Sequence, residues 1–134
     1  MPRKPSNHPT DAELAILQVL WASGPCTVRE VHEQLKNSDK IGYTTVLKTL
    51  QIMAEKDLVR RDESQRAHVY SARRSEEQTQ QRLLGDLLER AYRGSAGKMV
   101  MQALSARVAT RQELDEIRTL LDRMSGEIDD DGDQ

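Results

Sequence analysis

Apolar residues recur at three- and four-residue spacing along most of the chain, and the breaks in that rhythm mark where helices end. The first stripe, Leu14, Leu17, Leu20 and Trp21, follows Thr10-Asp-Ala-Glu13, a sequence in which threonine and glutamate can cap each other's orphan amides. Gly24 and Pro25 stop it. A second capping sequence, Thr27-Val-Arg-Glu30, opens a helix to about Lys36 with Val28, Val31 and Leu35 facing in. Asn37 to Gly42 is polar and reads as a turn. A third helix begins near Tyr43 and ends near Lys56 and Asp57, with Leu47, Leu50, Met53 and Ala54 on its apolar side.

After Asp57 the period changes. Leu58 and Val59 are expected to cover the core, Arg60 to Asp62 to form one strand, and Arg66 to Ser71 a second, joined around Glu63, Ser64 and Gln65. In the second strand Ala67 and Val69 alternate with His68 and Tyr70, a half-buried pattern. A third, very short strand is placed near Cys26. Two helices joined by a short polar turn, then a charged hairpin, read as a winged helix-turn-helix domain over residues 10–74.

From Ser75 onward the signal is helical again. Leu83, Leu84, Leu87, Leu88, Ala91 and Tyr92 line one side of a long helix, and Met99, Val100, Ala103 and Leu104 a shorter one beyond Gly94 to Gly97. Thr110-Arg-Gln-Glu113 caps the last helix, with Leu114, Ile117, Leu121 and Met124 in step. Three such helices cannot enclose a core alone, so residues 75–125 are expected to form a dimerisation domain that hides its stripes against a second copy. Residues 1–9 read as a flexible arm in which Arg3 and Lys4 could reach a DNA backbone, and 126–134 as an acidic, disordered tail. The fold class is therefore mainly α with a small antiparallel β wing.

Composition refines this picture in three ways. The 134 residues, 37% of them hydrophobic and none of them Phe, suffice for one small core built on Leu, Val, Ile, Met and Ala plus an appendage. No apolar run approaches a membrane span of roughly 20 residues, and no apolar leader opens the chain, so a cytosolic protein without membrane insertion is expected. The net charge of −2 conceals an asymmetry. Residues 1–74 hold 12 Lys and Arg against 9 Asp and Glu, net +3, whereas residues 75–134 hold 8 against 13, net −5. Positive charge gathers at the third helix and hairpin, and local field governs attraction to phosphate.

The candidate chemistry is recognition of double-stranded DNA. Thr44, Thr45 and Lys48 share the polar face of the third helix, where hydroxyls can donate to phosphates or base edges and the lysine can reach guanine or a phosphate. Tyr43 could bond a phosphate or pack on the second helix. Arg60, Arg61 and Arg66 stand on the wing and are better placed for phosphates than for bases. No catalytic arrangement, phosphate-binding glycine loop, cofactor motif or metal-ligand spacing is present: His8, His32 and His68 are scattered. The single cysteine, Cys26, forms no intramolecular disulfide and reads as a small buried residue or a redox sensor. The Asp129 to Asp133 run lacks the spacing of a calcium loop. A winged helix used purely for protein contacts is the competing reading.

Several ordered motifs, DAELAILQVLW, YTTVLKTLQIMAEKDLVRR, VYSA and AYRGS, resemble the BlaI/MecI penicillinase-repressor family, which includes CopY-type copper repressors. The resemblance covers roughly residues 10–124. It implies a dimeric repressor on a palindromic operator, with recognition contacts at Thr44, Thr45 and Lys48 and wing contacts at Arg66 and His68. Antibiotic-responsive members are inactivated when a signal-activated protease cuts an Asn-Phe bond, where this chain has Gln102 and Ala103. Copper-responsive members carry a C-terminal Cys-x-Cys cluster that is absent here. Ile52 stands where other members often have arginine, so the operator sequence does not carry over.

Overall fold

The computed structural model describes residues 8–35 and 41–130, with side chains to 128. Its elements run α1 (Asp11–Ser23), β1 (Cys26–Thr27), α2 (Val28–Leu35), α3 (Tyr43–Glu55), β2 (Val59–Asp62), β3 (Val69–Ala72), α4 (Glu76–Tyr92), α5 (Ala96–Ala106) and α6 (Arg111–Asp130). The chain divides into two compact units between Asp86 and Leu87. Arg3, Lys4 and most of the turn expected at Asn37 to Gly42 lie outside the described residues.

In the first unit the expected caps are formed. Thr10 and Glu13 exchange backbone bonds at 2.9 and 3.2 Å, and Thr27 and Glu30 do the same at 2.8 and 3.2 Å. Each pair satisfies two amides that the helix start would otherwise leave open. Gly24 ends α1 at φ +81° and donates to the Leu20 carbonyl, a conformation that side chains rarely adopt. α3 ends differently. Leu58 N–H donates to Met53 and Asp57 N–H to Ala54, with Asp57 left-handed at φ +66°. This is the closing pattern usually given to glycine, here held by an aspartate whose carboxylate meets Arg73 at 3.2 Å.

The core joins Ile16, Leu17 and Leu20 of α1, Val28, Val31 and Leu35 of α2, Val46, Leu50 and Met53 of α3, and Cys26, Leu58, Val59 and Tyr70 around the sheet. The sheet is antiparallel in the order β1-β3-β2, with Cys26 opposite Tyr70, Thr27 opposite Val69 and Arg61 opposite Tyr70. The short strand at Cys26 is thus real, and it ties the start of α2 to the wing. The second wing strand begins at Val69, not Arg66, because residues 63–68 form the exposed hairpin loop. On α1 the buried face includes Ile16 and Glu13, while Leu14 and Trp21 sit at its half-exposed edge; Trp21 Nε1 donates to the Arg74 carbonyl at 2.9 Å. On α3, Val46 takes the buried place and Leu47 and Ala54 border it.

Glu13 is buried because Lys56 comes to it. The lysine Nζ lies 2.6 Å from Glu13 Oε1 and 3.2 Å from the His8 carbonyl. The same carboxylate oxygen accepts the Thr10 amide, so one ion pair connects the cap of α1 with the end of α3.

The first unit extends beyond the boundary expected at residue 74. Ser75 and Gln78 form a further reciprocal cap, both bonds 3.0 Å, and Thr79 on the first turns of α4 is buried. Leu83 lines a narrow cleft with Leu58, Pro9 and Thr79.

The second unit contains the rest of α4 with α5 and α6. α4 closes through Gly94 at φ +83°, whose amide donates to Leu88, and Ser95 caps α5. The Thr110–Glu113 cap opens α6, with bonds of 2.8 and 3.0 Å. α6 continues to Asp130, so helix occupies the part of the expected tail from Gly126 onward that is described. Ile128 lies four residues beyond Met124 and prolongs the apolar stripe, which gives this segment a face in common with the rest of α6. No residue described in this unit has a buried side chain. A cleft of about 570 Å³ runs between α5 and α6, lined on its apolar side by Leu104, Val108, Ile117 and Leu120. Among the described residues, no helix is long and apolar enough to cross a membrane.

Candidate nucleic-acid interface

α3 is two-faced. Val46, Leu50 and Met53 are each 1% exposed or less, and they fix the helix against α1, α2 and the sheet. That anchoring turns Thr44, Thr45 and Lys48 outward, all three exposed. Thr49 is not part of this donor set, because its hydroxyl bonds back to the Thr45 carbonyl at 2.7 Å. Ile52 continues the outer face at 49% exposure. At the helix start Gly42 has no side chain with which to cap, so the first amides of α3 receive no acceptor from it.

Of the two roles expected of Tyr43, the structure describes packing on α2. Its ring meets the His32 ring of α2 edge-on, with centroids 6.0 Å apart and planes at 83°, yet the residue remains 47% exposed. His32 in turn contacts the Ile41 carbonyl through Nε2 at 3.0 Å, which holds the entry to α3 against α2.

The wing presents Arg60, Arg61, Arg66 and His68, all exposed. Their circumstances differ. Arg61 pairs with Glu63 at 2.8 Å, and its contact with the Tyr70 hydroxyl, followed by the charge of Glu63, raises its pKa further. Arg60 and Arg66 form no ion pair among the described residues. The hairpin is braced by Asp62, whose carboxylate accepts the Ser64 amide at 2.9 Å and is thereby held below the usual carboxylate range.

Lys56 and Arg29 carry weight that periodicity did not reveal. In the sequence Lys56 marks only the end of the third helix; its burial depends on a partner 43 residues away. Arg29 is hidden inside a capping sequence, and only the pairing of β1 with β3 brings it beside the wing.

The residues expected to dimerise fall into two groups. Leu83 belongs to the first unit. Leu84 lies there too but is 52% exposed. In the second unit Leu87, Val100, Leu104, Leu114, Leu121 and Met124 are exposed, and Leu88, Tyr92, Met99 and Ile117 are half-buried. Gln102 and Ala103 are exposed within α5.

Cys26 is buried, with its thiol 3.3 Å from the Gly24 carbonyl. Burial, and then the nearby Glu30 carboxylate, push its pKa up. The neutral thiol is therefore the favoured form, the opposite of an activated cysteine.

Comparison with known proteins agrees with this architecture. The penicillinase repressor family model matches residues 9–123. Proteins named transcriptional regulator BlaI from two strains of Mycobacterium tuberculosis are each 33% identical over 112 residues, covering 83% of this chain and 80% of theirs. With the winged helix, the outward face of α3 and the helical C-terminal region in place, the chain belongs to the penicillinase repressor family.

Proposed function

We propose that the protein is a transcriptional repressor that binds a palindromic DNA operator as a homodimer. The observation that carries this reading is the division of α3: a sealed apolar side holds the helix rigidly, and Thr44, Thr45 and Lys48 face outward beside a cationic wing. Such a helix fits the major groove, where threonines and a lysine can meet base edges, while Arg60, Arg61, Arg66, His68 and Tyr43 engage the sugar-phosphate backbone. Family membership supports the repressor role.

The homodimer rests on the second unit. Apolar residues exposed along α5 and α6 leave surface that water penalises by roughly 25 cal/mol per Å². A second copy presenting the same stripes covers them and supplies the twofold axis that a palindrome requires. Two recognition helices then read half-sites about one helical turn, or a small multiple, apart.

Fluorescence anisotropy with the fragment upstream of the protein's own gene tests this function. Affinity should fall steeply with salt, and Lys48→Ala should reduce the slope of log K against log salt by about 1 or relax base preference. Binding that ignores salt, or a Thr44/Thr45/Lys48 triple alanine variant that binds like wild type, rejects the reading.

A further inference from the structure

A cleft of about 430 Å³ opens between the start of α2, one edge of α3 and the wing. Tyr43, Leu47 and Gln51, at four-residue spacing on α3, form one wall. Arg61, Arg66 and His68 of the wing, with Thr27 of β1 and Arg29 of α2, also line it. Among the described residues, no aspartate or glutamate lines it.

This concentration of cations is a product of tertiary structure. β1 pairs Thr27 with Val69, so the first turn of α2 sits beside a hairpin some 40 residues away in sequence. Glu30, the nearest carboxylate in sequence, is folded back onto the Thr27 amide and is occupied as a cap. Arg61 is held by Glu63 and Tyr70. Arg29 and Arg66 therefore line a shared cleft without an ion-pair partner among the described residues. Several cations gathered around one cleft add their fields on an anion that enters it.

We propose that this cleft clamps a backbone phosphate of the operator strand, with Arg29 of α2 opposing Arg66 of the wing. The proposal rests on the DNA-binding reading above and extends it to a residue outside the recognition helix and the wing. A phosphate fits better than a free carboxylate ligand, because the cleft adjoins Tyr43 at the start of α3 and so lies where a strand leaving the α3 face would pass. Arg29 then sets the register of the helix on the duplex without reading sequence.

The test uses the full chain and a duplex from its own upstream region in which single phosphates are replaced, one at a time, by neutral methylphosphonates. Wild-type protein should lose affinity at one phosphate per half-site that Arg29→Ala no longer senses. Arg29→Ala should also bind operator and random duplex more weakly by a similar factor, with the salt slope smaller by about 0.9 for each phosphate left without its cation. Arg29→Lys should restore most of the slope. The clamp is overturned if Arg29→Ala keeps the wild-type slope and the wild-type methylphosphonate profile while Arg66→Ala loses both. If wild-type protein itself binds neither duplex, DNA binding fails as a whole, a result distinct from loss of the clamp alone. Arg29 is exposed, so an unchanged melting temperature separates weaker phosphate binding from unfolding.

Discussion

Helices α3 and α6 carry the same sequence signal, an apolar stripe at helical spacing, and meet opposite fates. Leu50 and Met53 of α3 are sealed at 0% exposure, whereas Leu121 and Met124 of α6 stand 55% and 49% exposed. The difference lies in what surrounds them. α3 is enclosed by α1, α2 and a three-stranded sheet, elements that approach from several directions and can shut out water. The second unit has only helices, too few to surround any one of them. An amphipathic stripe reports which face seeks burial; it does not report whether this chain or another copy provides the cover.

The sharpest way to break the contrast is to cut the same side chain from both stripes. Leu50→Ala should destabilise the first unit by about 2 to 5 kcal/mol, because its cavity is walled on all sides. Leu121→Asp should leave the urea midpoint of the first unit nearly unmoved, yet shift the protein toward monomer in sedimentation and remove the concentration dependence of melting in the second. Equal loss of core stability from both changes would show that the two units fold as one.

A second prediction sharpens the account of the first unit. Glu13→Gln or Lys56→Met alone leaves a charge or polar group in a nearly closed site and should cost about 3 kcal/mol in denaturant unfolding. Glu13→Gln together with Lys56→Met removes both charges, keeps an acceptor for the Thr10 amide, and should recover much of that loss, since paired buried ions contribute little net stability over neutral replacements. A double variant as unstable as the sum of the singles would contradict the ion-pair description.

The smallest effect concerns Cys26. Its folded pKa is raised, so the neutral thiol contributes stability that is present below the ordinary thiol pKa and is lost as pH climbs through the folded value. Thiol-reactive reagent at neutral pH should label Cys26 at the rate of unfolding rather than at that of an exposed cysteine. Fast labelling of the native protein would contradict this burial.

Much of the fold is legible along the chain because its cues are local. Thr10 with Glu13, Thr27 with Glu30 and Thr110 with Glu113 lie three residues apart, and helix-start geometry follows from such pairs directly. The outward placement of Thr44, Thr45 and Lys48 follows equally from helical phase. Sequence and structure part where neighbours in space compete with neighbours along the chain. Arg66 to His68 alternate like a strand, yet only residues from Val69 find partners on β1 and β2. The end of α6 reads as an acidic tail because charge dominates its composition, while Ile128 keeps the phase of the stripe.

The sequence by itself determined the helices, their caps, the polar face of α3 and the charge asymmetry between the halves, since each depends on residues within a few positions of one another. Only the tertiary structure decided which charges are spoken for. Lys56 is taken by Glu13, Arg61 meets Tyr70 across the hairpin, and Arg29 and Arg66 line one cleft. Charge pairing in a folded chain is set by distance in space, and no local pattern encodes the 40-residue separation that β1 closes.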